Sequence, residues 1–148
     1  MDTTDILLAK SEIAELKARY CRGVDSKDWA LYRSIFADEG TFDISTDVPD
    51  GGVFTSADDF VRVAQEGLTG VTSVHHVHNP EIEVVSATKA SCIWAMEDML
   101  EWGAETDTPG QKLHGMGHYI ETYEKEGGKW VIKTLRLTRL RRDFEPHG

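Results

Sequence analysis

The chain has 148 residues, 40% of them hydrophobic, and a formal net charge of −10. That length suits one domain with a core and room for a small-molecule pocket. The acidic balance argues against a nucleic-acid partner, which needs a lysine and arginine surplus to neutralise phosphates.

No apolar run approaches membrane-spanning length and the N-terminus carries no signal-peptide core, so we expect a cytoplasmic protein with no membrane partner. Cys21 and Cys92 lack metal-ligand spacing and read as free thiols of a reducing compartment. In chain order, Ile13, Leu16, Tyr20 and Val24 recur at helical spacing, which predicts a helix from Thr4 to about Val24. Glu12, Lys17 and Arg22 fall elsewhere on its wheel. Tyr20 then points inward, and Asp25 lies at the C-terminal turn, where an acid meets the unfavourable end of the helix dipole. Asp28 to Ala37 predicts a short second helix, and Thr41 to Ile44 a brief strand. Asp47 to Gly52 is dense in turn residues and reads as a loop. Ser56 starts a third helix, running to about Leu68.

From Thr72 the period changes to two, and four strands follow at roughly 73–85, 89–102, 112–125 and 129–142. The layout is α+β: three N-terminal helices on one face of a curved antiparallel sheet, making one cone-shaped domain over 1–148 with an interior pocket.

Candidate chemistry concentrates on the strands. In the second long strand Ala90, Cys92, Trp94, Met96, Asp98, Leu100 and Trp102 share one face, and Asp98 is the one charge on it. A carboxylate on an inward face is costly unless paired or used. Ser73 to Pro80 holds His75, His76 and His78, side chains whose ordinary pKa suits acid–base work. Ile82 and Val84 would turn the even positions inward, but a bulge at Asn79-Pro80 would invert the parity, so alternation leaves His75 and His76 open. A multi-histidine metal site from His76, His78, His114 and His118 is the other reading; no cysteine accompanies it, and we expect no metal. Six basic residues lie between Lys129 and Arg142, where Arg136 and Arg139 alternate onto opposite faces and one of them can enter the pocket as an anion or carbonyl ligand. Gly115 and Gly117 suggest close backbone approach or strong curvature in the third strand.

Four stretches together carry a family resemblance. Arg19-Tyr20 with Val24-Asp25 and Trp29, Val74-His75-His76 with Asn79-Pro80, Gly117 with Tyr119 and Tyr123, and Gly128 with Trp130 resemble the SnoaL-like branch of the nuclear-transport-factor-2-like superfamily. The resemblance runs over nearly the whole chain and is nearest to scytalone dehydratase-like, bile-acid 7α-dehydratase-like and lindane dehydrochlorinase-like enzymes. It implies a cystatin-type α+β barrel, a histidine base at His75, its orienting aspartate at Asp25 and a catalytic tyrosine at Tyr20. Asp98 and Arg139 fall near a further acid and arginine of the bile-acid enzyme.

The implied reaction is proton abstraction by His75 followed by loss of a β-substituent, with Tyr20, or a neutral Asp98, donating a proton or hydrogen bond. Trp94, Met96, Trp102 and Phe42 would line an apolar pocket for a hydrophobic cyclic molecule, with Tyr119 and His76 also in reach of substrate. No organic cofactor is expected, since no phosphate-binding loop is present. The expected activity is a cofactor-independent lyase, a dehydratase; an isomerase or polyketide cyclase would use the same base. A non-catalytic binder or assembly subunit is the alternative from a different class. Such relatives are homodimers or homotrimers.

Overall fold

A reciprocal capping box starts the first helix: the Asp5 backbone N–H donates to Asp2 Oδ1 at 2.8 Å and the Asp2 N–H to Asp5 Oδ2 at 3.2 Å. This is seen in a computed structural model that describes residues 1–146. The helix, α1 (Thr3–Asp25), buries Ala9, Ile13, Leu16, Lys17, Tyr20, Gly23 and Val24 on one stripe. Lys17 therefore departs from the expectation that it lies off the apolar face. It sits four residues from Ile13 and three from Tyr20, a spacing that places it on the stripe, and it is 0% exposed. A second helix, α2 (Trp29–Ser34), is capped by Asp28 and is shorter than expected. Chain predicted as its last turn instead enters β1 (Phe36–Asp43).

The strand β2 (Val53–Ser56) was not anticipated from the sequence. It leads into α3 (Ala57–Gly67), where Ser56 accepts from the Asp59 N–H. The four long strands are β3 (Val71–Ser86), β4 (Lys89–Trp102), β5 (Lys112–Glu126) and β6 (Lys129–Glu145).

All six strands form one sheet in the order β2-β1-β6-β5-β4-β3. The meander β3 to β6 is antiparallel as expected, but β1 runs parallel to β6, so the sheet is mixed. That pairing joins Phe36 to Ile132, too far apart in the chain to leave a local signal. The sheet curls around the helices without closing, because β2 and β3 remain its edges. The core fills the concave side: Tyr20, Tyr32, Phe36, Phe42 and Phe60 pack as an aromatic cluster against Trp94, Tyr119, Ile132 and Leu135. Among the described residues no helix is long and apolar enough to cross a membrane.

Candidate active site

The edge strand β3 leaves outward backbone N–H groups with no strand to accept them. The last residue of α1 answers one of these. Asp25 accepts the His75 backbone N–H on Oδ2 at 2.7 Å, the His75 ring Nδ1 lies 2.7 Å from Oδ1, and the Ser73 hydroxyl donates to Oδ1 at 2.9 Å. Three contacts thus fix the carboxylate, and it in turn orients the imidazole with Nδ1 toward Asp25 and Nε2 away from it. The two side chains are 11% and 21% exposed, so the dyad is reachable from outside the core. Nε2 faces inward, 3.9 Å from Asp98 Oδ2.

The parity of β3 decides between the histidines. Asn79 adopts a left-handed φ of 47°, and the register to β4 slips between His78 and Glu81. This bulge inverts the alternation: Val71, Ser73, His75 and Val77 turn inward before it, Ile82 and Val84 after it. His76 is consequently 54% exposed on the outer face, which corrects its expected place in the pocket. There His76 Nδ1, His78 Nε2 and His114 Nε2 surround the Glu97 carboxylate at 3.9, 3.8 and 2.9 Å. The contact with His114 holds the Glu97 carboxyl below its ordinary pKa. Among the described residues no group of His, Cys, Asp and Glu is arranged to hold a metal ion.

Arg139 is the arginine that points inward, while Arg136 is exposed on the outer face. Its guanidinium is shared by two aspartates. Nη1 and Nη2 donate to Asp98 Oδ1 and Oδ2 at 2.7 and 3.0 Å; Nε and Nη2 donate to Asp47 Oδ1 and Oδ2 at 3.0 and 2.8 Å. These two forks raise the Arg139 pKa far above its ordinary value, against a desolvation that alone would lower it. Both Asp98 oxygens accept from Arg139 in this arrangement, so the residue expected as an alternative donor to substrate is engaged here as an acceptor. The small residues of β5 make the arrangement possible. A side chain on Gly115 would collide with Arg139 and Asp98, and one on Gly117 with the Thr138 carbonyl.

The remaining expected site residues divide. Met96 lies beside the guanidinium, its Sδ 3.7 Å from Arg139 Nη1. Tyr20 and Tyr119 are buried next to each other, with ring centroids 5.5 Å apart, and burial pushes both phenols well above their ordinary pKa. Trp94 donates its indole N–H to the Tyr123 hydroxyl at 2.9 Å and is a core residue. Phe42 stacks on Phe60 and is fully buried. Trp102 lies at the end of β4 opposite Val71 and lines a separate surface cavity with Gly70 and Thr106. Burial raises the Cys21 and Cys92 thiols to about 11 and about 12, so neither is a reactive nucleophile.

Sequence reasoning missed Ser73, Asp47 and the buried pair Lys17–Glu121, whose Nζ–Oε2 distance is 2.7 Å. Ser73 shares strand parity with His75, and Glu121 shares the inward parity of Tyr119 and Tyr123. Glu121 was open to the alternation argument that found Asp98; Ser73 was not, because the bulge at Asn79 hides the parity of the first half of β3. Asp47 gave no such signal, because its loop has no period.

A SnoaL-like domain profile matches residues 5–136. The chain is 30% identical over 141 residues to "Probable cyclase FGR4" of Gibberella zeae, covering 89% of this chain and 91% of that one. Among solved structures it resembles a "Putative Scytalone Dehydratase" from Novosphingobium aromaticivorans, at a TM-score of 0.84 and 18% identity, covering 99% of this chain and 93% of the other. It also resembles hexachlorocyclohexane dehydrochlorinase LinA-type3 from Novosphingobium barchaimii, at a TM-score of 0.81 and 18% identity, covering 97% and 94%. At those identities the two structures speak to the fold alone. The profile match over most of the chain, with the relative of similar length, identifies the chain as a member of the SnoaL-like domain family.

Proposed function

We propose that the protein is a cofactor-independent lyase, a dehydratase that removes water from a hydrophobic cyclic or polycyclic substrate. The observation that carries this reading is the dyad: His75 Nδ1 at 2.7 Å from Asp25 Oδ1, with Nε2 turned toward the interior. Nε2 takes the proton from carbon, and Asp25 stabilises the imidazolium that results. Arg139, paired with Asp98 beside Nε2, supplies positive charge near the oxygen on which negative charge develops. Tyr20 and Tyr119, whose phenols carry their protons at neutral pH, are the donors we assign to a departing hydroxyl. Electrons from the broken C–H bond form the new double bond as the hydroxyl leaves with a proton from the donor.

The test is a panel of cyclic β-hydroxy ketones followed by the absorbance of the conjugated product. His75→Ala and Asp25→Asn should each lower turnover by about 10²–10⁴-fold, the range a positioned general base contributes. The denaturation midpoint of His75→Ala should stay near that of the unaltered protein, while Asp25→Asn should lower it, since an amide cannot accept from both the His75 backbone and the Ser73 hydroxyl as the carboxylate does. Turnover that survives His75→Ala would remove the base from the mechanism. The 30% identical relative named as a cyclase favours a second reading, in which the same base drives ring closure or isomerisation. Product mass separates the two, since a dehydratase product has lost one water and an isomer has not.

A further inference from the structure

We propose that the Nε–Nη2 edge of Arg139 is a seat for a carboxylate on the substrate, and that Asp47 is its removable occupant. The proposal rests on the lyase reading for the position of the seat beside the base, and it deepens that reading by naming an acidic substrate class.

The two aspartates on Arg139 are not equivalent. Asp98 projects from β4, an interior strand of the sheet, with its side chain 5% exposed. It forks onto Nη1 and Nη2 in the space Gly115 leaves free. Asp47 comes from the turn between β1 and β2, with its side chain 23% exposed. That turn is closed mainly on itself: the Asp47 and Val48 N–H groups both donate to the Ile44 carbonyl, the Ile44 N–H to the Gly52 carbonyl, and the Ser45 N–H to Asp43 Oδ1. Its tip can therefore swing away without unpicking a strand ladder.

Departure of Asp47 alone would strip a largely buried guanidinium of half its partners, which is strongly unfavourable. Exchange for another carboxylate is different. It keeps every N–H of Arg139 satisfied, leaves the charge of the site unchanged and lets Asp47 gain full hydration. A neutral carbonyl offers one acceptor in place of two and leaves an excess positive charge, so the fork selects a planar carboxylate. Arg142, whose Nε lies 3.5 Å from Asp47 Oδ1, adds a second cation at the same seat.

The seat is also in register with the base. His75 Nε2 at 3.9 Å and Arg139 Nη2 at 3.0 Å both lie on Asp98 Oδ2. Asp98 Oδ2 is thus the link between the base and the guanidinium, and a ring anchored by its carboxylate on Arg139 would extend from the seat toward the imidazole. Met96, against Nη1, gives the anchored ring an apolar neighbour.

Calorimetric titration with benzoate, and with benzamide as its neutral counterpart, tests this without any turnover. An internal occupant lowers apparent affinity by the fraction of time it leaves the seat open, so Asp47→Asn should bind benzoate about tenfold or more tighter than the unaltered protein. Benzamide binding should change little. In the unaltered protein, saturating benzoate should speed backbone hydrogen exchange across residues 45–52. Equal benzoate affinity in Asp47→Asn, an equal gain for benzamide, or slower exchange in the turn would overturn the proposal. So would failure of Asp47→Asn to fold, since Asp47 would then be a structural staple. Benzoate binding that behaves as expected in a protein that dehydrates nothing would leave the seat standing and remove the lyase reading alone.

Discussion

A methyl group placed on Gly115 would lie 2.5 Å from Asp98 Oδ1 and closer still to Arg139 Nη1. In most strands a glycine is a weakness, and alanine in its place gains roughly 0.5–1 kcal/mol from lower unfolded-state entropy. Here that gain competes with overpacking, which costs about 1–3 kcal/mol. The second term is larger because neither neighbour can give way: Asp98 is held in a fork and Arg139 is held from both sides. Gly115→Ala should therefore lower the unfolding free energy by roughly 1 kcal/mol, the difference between the middles of the two ranges, and weaken the charge pair. Urea denaturation measures the sign, and a stabilised variant would mean that the pair has room to move. The glycine was visible in the sequence as a signal of close approach; what approaches it was not, because Arg139 and Asp98 come from two other strands.

Each element carries its site residue through a different physical device. On β3 the device is the bulge, with Asn79 in the left-handed region that asparagine tolerates better than most residues. The pattern of Ile82 and Val84 was right about the second half of the strand and silent about the first, so the choice of His75 came from family resemblance and not from alternation. On β4 an unbroken alternation over fourteen residues made Asp98 legible without help. On α1 the apolar stripe was legible but its fully buried cation was not, because a lysine at a stripe edge ordinarily extends its stem and reaches solvent. Lys17 instead lies with Nζ 3.5 Å from the Tyr20 ring centroid and 3.7 Å from that of Tyr119, while pairing with Glu121.

The same carboxylate accepts the Tyr123 hydroxyl at 2.6 Å. Lys17→Met removes one half of a buried pair and leaves Glu121 uncompensated, a change that costs about 3–5 kcal/mol. Adding Glu121→Gln should recover much of that loss, since glutamine still accepts from Tyr123. A double variant as unstable as the sum of the two single ones would show that the charges do not act as a pair.

At the scale of the whole molecule, the curled sheet and its helices enclose every tyrosine the chain has. The four are Tyr20, Tyr32, Tyr119 and Tyr123, each under 5% exposed and each with a phenol pushed well above its ordinary pKa, burial being the leading cause. Their common titration ties stability to pH in one direction. Below about pH 10 the phenols are protonated in folded and unfolded chains alike, and they contribute no pH dependence. Above it the unfolded chain sheds protons that the folded one retains, so the unfolded state binds fewer and stability falls as pH rises.

Four groups acting together make that fall steep, and the fold should give way before any phenol ionises inside it. Tyrosinate absorbance should consequently stay flat past pH 10 and then rise in one cooperative step, together with loss of far-ultraviolet circular dichroism. A gradual rise centred near pH 10 while the circular dichroism stays intact would mean that water reaches the tyrosines in the folded protein. In that case Tyr20 and Tyr119 would not be the enclosed proton donors of the elimination we propose.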